Sequence, residues 1–236
     1  FPDSKGNYGS VTVPEGKSTL ISVSVYNQSD GDVHTQYPTG MAVYKATNTN
    51  GKVTLEHIGK FDNLLRYAGS SIRITGKKGI RLITGIDSSV KATLTGSGIA
   101  GYKLEEYGTL LCWASEMQNG SLALTDSYAR HNYAYSRAKG TDPVFRRAGS
   151  VVQYTNVLVG FSNKQCVDDI AMRPYIVLRD ADGNTVTLYG GIVYRSIGYI
   201  AYQNRNAFQP GTDAYNYIWS IIHYVYGSKY DKDYKG

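Results

Sequence analysis

The sequence predicts a mainly β fold with C-terminal helices, a β-sandwich of antiparallel strands packed with two amphipathic helices. Short apolar runs that alternate with polar residues recur over most of the chain, the period of half-buried strands. Asn-Gly and Asp/Gly-rich turn signals separate them. After Ser196 the apolar spacing lengthens to that of helices.

The elements follow in order. Ile21, Val23 and Val25 alternate with Ser22 and Ser24, so one face is expected buried and the other wet. Met41–Ala46 and Val53–Ile58 repeat the theme around the hairpin signal Asn50-Gly51, which reads as a meander or one sheet. Two more strands, Ser71–Thr75 and Gly79–Thr84, flank the turn Gly76-Lys77-Lys78. A short helix is expected over Asp87–Leu94, then a long apolar strand over Tyr102–Trp113. Ala114–Arg147 has little periodicity and reads as the longest loop, a place where function concentrates. Strands resume at Val151–Val159, Arg173–Arg179 and Thr185–Tyr189, the last two joined by Asp180-Ala181-Asp182-Gly183-Asn184. Ile197, Ile200 and Ala201 behind Ser196 mark one helix. Tyr215, Ile218, Trp219, Ile222 and Tyr226 mark a second, with Thr212 or Asp213 as its cap and Gly227 as its end.

A chain of 236 residues with 42% hydrophobic content can bury a full core. One β-rich domain is expected over 1–228, with 1–68 and 69–228 as the alternative pair of packed units and the charged, tyrosine-rich 229–236 as a linker tail. The net charge is +6, but only 19% of residues are charged and the basic ones are dispersed. Nucleic acid is therefore not an expected partner, since a phosphate-tracking stripe needs clustered cations. No apolar run approaches a membrane span, and no signal peptide opens the chain at Phe1, so the numbering is expected to start inside a mature protein. Cys112 and Cys166 are too few for a disulfide framework; they either pair or are both buried thiols. The chain holds 22 tyrosines, a residue that suits wet recognition surfaces and β-strands alike.

Catalytic chemistry finds little support in the residues. Motifs for a nucleophile elbow, a zinc protease helix, a phosphate loop or a dinucleotide fingerprint do not occur. The histidines, His34, His57, His131 and His223, are far apart, and His223 reads as structural. Glu105 and Glu106 are neighbours on a strand and would face opposite ways. Glu116, Asp126 and Asp142 all fall in the long loop and are the remaining acids that can meet across a cleft. Asp180, Asp182 and Asn184 have a composition shared by calcium loops and plain turns, with the turn preferred. No enzyme, no cofactor and no metal are expected.

Several segments, in order, resemble a known domain: Ser71–Ile74, Gly79–Thr84, Glu106–Leu110, Met172–Leu178, Leu188–Gly191 and Arg195–Ile197. The domain is one found in large secreted and cell-surface proteins of gut Firmicutes, beside dockerins, carbohydrate-binding modules and glycoside hydrolases. Within that group the chain is most similar to the N-terminal starch-binding domains of starch-adherence proteins of the Ruminococcus amylosome. The resemblance covers roughly residues 70 to 205. It implies a secreted, cell-surface module that binds starch or another α-glucan without catalysis, as a monomer tethered to other modules. The alternative it leaves open is a structural or protein-interaction spacer, like an X-module beside a dockerin.

Sugar binding uses an aromatic face against a pyranose and fixed polar groups for its hydroxyls. Trp113, at the end of its strand, suits either a rim indole or a core residue. Asp126, Arg130, His131, Asn132, Tyr133 and Tyr135 supply donors, acceptors and rings in the aperiodic segment. They are the first candidate site, although a loop pinning itself by hydrogen bonds has the same composition. Gln203, Asn204 and Arg205, between the two helices, are the second. Trp219 is assigned to the core.

Overall fold

The computed structural model describes residues 11–27 and 37–235, and of Tyr133 the backbone alone; His34 lies outside the described residues. β1 (Ser18–Tyr26), β2 (Pro38–Thr49) and β3 (Lys52–Asp62) form an antiparallel meander. Asn50 and Gly51 both take positive φ, 53° and 76°, which a two-residue hairpin of this hand requires. β4 (Arg66–Arg73) and β5 (Gly79–Asp87) begin a second sheet, and α1 (Ser88–Thr95) follows, capped by Asp87, which accepts from the Ser89 amide at 2.8 Å. β6 (Lys103–Trp113) and β7 (Arg130–Ser136) belong to a third sheet. β8 (Arg146–Ala148) and β9 (Val151–Val159) return to the second, whose order is β4-β5-β9-β8. With β10 (Asp169–Arg179) and β11 (Thr185–Tyr189), the third sheet runs β11-β10-β6-β7, and β12 (Val193–Ser196) also pairs with β10. α2 (Ile197–Gln203) is capped by Ser196. α3 (Asp213–Tyr226) is capped by Thr212 rather than Asp213, and ends where Gly227 takes φ 57°. Among the described residues, no helix is long and apolar enough to cross a membrane.

The second and third sheets pack face to face. At one end Ile72, Ile80 and Leu82 meet Leu111, Trp113, Ile170 and Met172, with Ile200, Ile218, Trp219 and Ile222 of the helices in the same cluster. Toward the other end Ile86, Val152 and Tyr154 meet Tyr107, Ile176 and Leu178, joined by Leu20, Met41 and Val43 of the meander. On the far face of the third sheet Leu110, Cys112, Ala171 and Tyr175 are covered by Leu122 and its neighbours. Both cysteines are buried free thiols.

Three local expectations are corrected. Ile21, Val23 and Val25 are only half-buried, and it is Leu20, on the serine face, that is buried. That face turns inward because β1 lies along β11, where the Ser22 hydroxyl donates to the Tyr189 carbonyl at 3.3 Å. Ala114–Arg147 is not one long loop, since β7 runs through it. Its alternation is hidden because the side chains it aligns find polar partners on both faces. Residues 227–233 are wound in 3₁₀ turns against α3, and the Lys235 amide donates to the Tyr215 hydroxyl at 2.6 Å. Tyr234 stacks on Tyr215 (5.6 Å between ring centres) and tilts against Trp219 (5.1 Å). The tail reads as a linker from its lysines and aspartates, while its rings complete the apolar stripe of α3.

Candidate functional site

A cleft of ≈ 450 Å³ opens where edge strand β4 breaks its register. Tyr67 pairs with Thr84 and Gly69 with Ile83, so Ala68 is an extra residue, and Gly69 takes φ 119°. Such a bulge bends an edge strand and re-aims its side chains, and glycine supplies the dihedral at no steric cost. The opening beside the bulge is walled by Tyr37, which precedes β2, by Arg195 from β12, and by Tyr199 and Gln203 from α2. Arg66 stands at the start of β4. The amide of Asn204, the residue ending α2, donates to the Ile200 carbonyl (2.8 Å) and to Ser70 of β4 (3.4 Å), which ties the helix to the bulged strand and sets the width of the cleft.

The rings and cations are held in place. Tyr37 and Tyr67 lie 6.4 Å apart at 49°. The Arg195 guanidinium lies 4.9 Å from the Tyr67 ring centre and 5.9 Å from that of Tyr199, and donates to the Tyr194 carbonyl at 2.7 Å. It is 5% exposed, so its planar face is fixed by packing. Burial raises the Tyr67 pKa above the usual phenol value, against the opposing pull of the Arg195 charge and of hydrogen bonds with Ser70 and Arg195. Tyr67 is therefore a neutral hydroxyl at physiological pH. Arg66 Nη1 donates to Asn63 Oδ1 at 2.8 Å.

A second cleft of ≈ 230 Å³ adjoins the first, sharing Arg66 and Ala68 and running on to Val151 and Gln153. Beside it, the register places Gly85 of β5 opposite both Arg66 and Gln153. A Cβ at Gly85 would sit 2.5 Å from Val151 Cγ1, so the missing side chain lets Val151 cross there.

Of the residues expected from sequence to bind, only Gln203 lines this site. Trp113 is 7% exposed in the core cluster, because the outermost turn of β6 is covered by α2 and α3. Asp126 closes a local turn, accepting from the Ala123 amide (2.7 Å) and the Ser121 hydroxyl (2.8 Å). Burial pushes its pKa up, but these hydrogen bonds outweigh that and hold it below the usual carboxylate value. Arg130 pairs with Glu116 at 3.8 Å. The strand register sends the residues of β7 to opposite faces. His131 meets the Tyr175 hydroxyl and Glu106 on one, while Asn132 bonds Asn156 and Tyr135 stacks on Tyr107 (5.4 Å, 7°) on the other. The first candidate site is thus divided between the two faces, and for Tyr133 the side chain lies outside the described residues. Asn204 is a helix end and strand tie, and Arg205 holds the tail, stacked over Tyr202 (4.0 Å) and 3.6 Å from Asp233.

The acids considered for catalysis are likewise separate. Glu116 faces Arg130, Asp142 is held by Lys91 at 2.6 Å, and Glu105 and Glu106 turn to Arg179 and to Tyr175. Asp180 spends both carboxylate oxygens on Asn184 within its hairpin. Among the described residues no three His, Cys, Asp or Glu side chains group as a metal would need.

No protein-family model matches the chain, and comparisons with curated proteins and with solved structures return no match. The site residues that sequence reading passed over are Tyr37, Arg66, Tyr67, Arg195 and Tyr199. One signal for them is present: Arg66-Tyr67-Ala68-Gly69 places a glycine inside a strand pattern, the mark of a bulge.

Proposed function

We propose that this chain is a non-catalytic carbohydrate-binding domain of an extracellular bacterial surface protein, and that its sugar site is the cleft between β4 and α2. The observation that carries the reading is the convergence of three tyrosine rings, two guanidiniums and the Gln203 amide on one open cleft of ≈ 450 Å³. Rings offer faces for the apolar side of a pyranose, and the amide and guanidiniums read its hydroxyls. The adjoining cleft past Arg66 gives a chain room to continue toward Gln153. Starch and other α-glucans, the ligands implied by the resemblance, are the first class to test, and weak single-site binding is raised by tethering many modules at one cell surface.

The test is calorimetry with maltoheptaose together with retention on insoluble starch, for the native chain and for Tyr199→Ala. Tyr199 is half-buried, so its truncation is expected to leave the fold intact while reducing binding about tenfold, the usual scale of one lost stacking ring. Absence of heat and retention with every glycan tried removes the proposal. A second reading, an interaction spacer beside other modules, is favoured by the exposed β3 edge with Val53 and Leu55 on its surface (49% and 60% exposed). It expects a higher melting temperature when a neighbouring module is attached.

A further inference from the structure

We infer that the exposed edge of β3 is a docking surface for a second copy of this chain, the two β3 strands pairing antiparallel about a two-fold axis at Thr54. The inference is independent of the sugar cleft and departs from the monomer that the resemblance implies. Residues 52–57 are exposed on both strand faces, with Val53 and Leu55 49% and 60% exposed. β3 ends the order β1-β2-β3, so one side of it lacks a strand partner among the described residues. Asn50-Gly51 closes a two-residue hairpin, which makes Thr49 and Lys52 a hydrogen-bonded pair. Such pairs alternate along an antiparallel ladder, so Thr54 bonds to β2 while Val53, Leu55 and His57 direct their amides and carbonyls away from it. Beyond them Val43 pairs with Gly59 and Tyr44 with His57, leaving Ile58 as a bulge that ends the flat edge.

Charge selects the partner and the register. An open edge templates pairing, and a row of like charges is one device that prevents it. This edge instead carries opposite charges in symmetric places, Lys52 two positions before Thr54 and Glu56 two positions after it. With the axis at Thr54, Lys52 faces Glu56 of the second copy at both ends, and Thr54 faces its own copy between them. On the other face of the strand Val53 meets Leu55, and these two residues exchange the backbone bonds that β2 leaves unmade. Opposite-charge, threonine and apolar cross-strand pairs all stabilise a sheet. Moving the axis to Leu55 sets Glu56 against Thr54 and Lys52 against the bulge, and moving it to Glu56 sets that carboxylate against itself. Among the described residues no salt bridge engages Lys52 or Glu56, and Lys45 stands beside Glu56 on β2. A contact of this size is weak between two free molecules, and tethering many copies on one surface strengthens it.

The experiment is sedimentation equilibrium of the whole chain at concentrations up to about 1 mM, for the native protein, Lys52→Glu and the double variant Lys52→Glu/Glu56→Lys. Thr54→Cys and Leu55→Cys are oxidised mildly beside them. The native chain is expected to dimerise reversibly. Lys52→Glu turns both attractive charge pairs repulsive and is expected to weaken the dimer about tenfold, and the double variant to restore it. These side chains are exposed, so the fold is expected to hold, and a thermal melt checks it. Thr54→Cys is expected to form a disulfide-linked dimer, since facing residues in a non-hydrogen-bonded pair have Cα atoms about 4.5 Å apart. Leu55→Cys is expected to stay unlinked, because its own copy lies about 7–8 Å away along the diagonal. Cys112 and Cys166 are buried and do not compete. A chain that stays monomeric throughout overturns the inference, whether the edge is then bare or covered by another partner. So does a dimer that ignores the charge exchange, or one whose Thr54→Cys variant does not cross-link. None of these outcomes bears on maltoheptaose binding, so the sugar reading stands or falls separately.

Discussion

Gly198→Ala is a one-carbon change that tests how closely α2 rests on α3, and through that contact how the cleft is held. Gly198 is buried, and a Cβ there would lie 2.8 Å from Val225 Cγ1, 2.9 Å from Cγ2 and 3.1 Å from Cβ. Carbon atoms in contact prefer about 3.5–4.0 Å. The nearest pair is thus short by roughly 0.7 Å, and because both methyls and the stem of Val225 are involved, no single rotation relieves all three. Overpacking of this kind destabilises by about 1–3 kcal/mol, while replacing glycine in a helix returns up to about 1 kcal/mol. The expected net loss is about 1 kcal/mol, a fall in melting temperature of roughly 2–4 °C for a domain of this size. Because Tyr199 and Gln203 ride on the same helix, ligand affinity is expected to fall as well. Urea denaturation followed by circular dichroism measures the first effect, and a cycle with Val225→Ala isolates its cause. Removing the two methyls makes room for the new Cβ, so the double variant is expected to be more stable than the sum of the singles by about 1 kcal/mol. Strict additivity, or a Gly198→Ala protein as stable as the native one, would refute the close packing of the two helices.

Other expectations follow from the same residues. Hydrogen bonds from Ser150 and from the hydroxyl and amide of Ser89 hold the Asp87 carboxyl at about 2, below its ordinary value. A depressed folded-state pKa contributes stability that is present above the unfolded pKa and lost as pH falls through the folded one. Asp87→Asn is therefore expected to melt lower at neutral pH, with the gap closing between roughly pH 4 and pH 2, as melts across that range will show. Tyr234→Ala uncovers one side of Trp219, and a red shift of tryptophan emission with a loss of about 1 kcal/mol is expected; unchanged emission would mean the tail does not cover the indole. Burial, reinforced by the Glu116 charge, pushes Cys112 up to about 11, and burial raises Cys166 as well. Neither thiol is expected to react with a disulfide reagent in the native protein at pH 8, and both react in denaturant.

The strand pairs joined by Asn50-Gly51 and by Asp180–Asn184 were legible because turn chemistry is local: each turn satisfies its own dihedrals and hydrogen bonds. Both C-terminal helices were legible for the same reason, in their caps Ser196 and Thr212 and in the stripe from Tyr215 to Tyr226. β7 was not. His131 and Asn132 point to opposite faces, and each meets a polar partner more than twenty residues away, so neither face shows an apolar period. The inward face of β1 was hidden in a similar way, since only contact with β11 makes a serine face the buried one.

The sequence by itself determined a β-rich chain with two C-terminal helices, the bounds of a few strands such as Val151–Val159 and Thr185–Tyr189, and that Trp219 belongs to a core. These follow from periodicity and capping, which act over a few residues. Only the tertiary structure decided which rings face a cleft. Tyr37, Tyr67 and Tyr199 are brought together by a bulge, a strand end and a helix that span more than 160 positions, and Asn204 fixes the gap by reaching back to Ser70. No local pattern encodes that meeting, because its cause is the closure of β4 against α2 by packing and one long-range hydrogen bond.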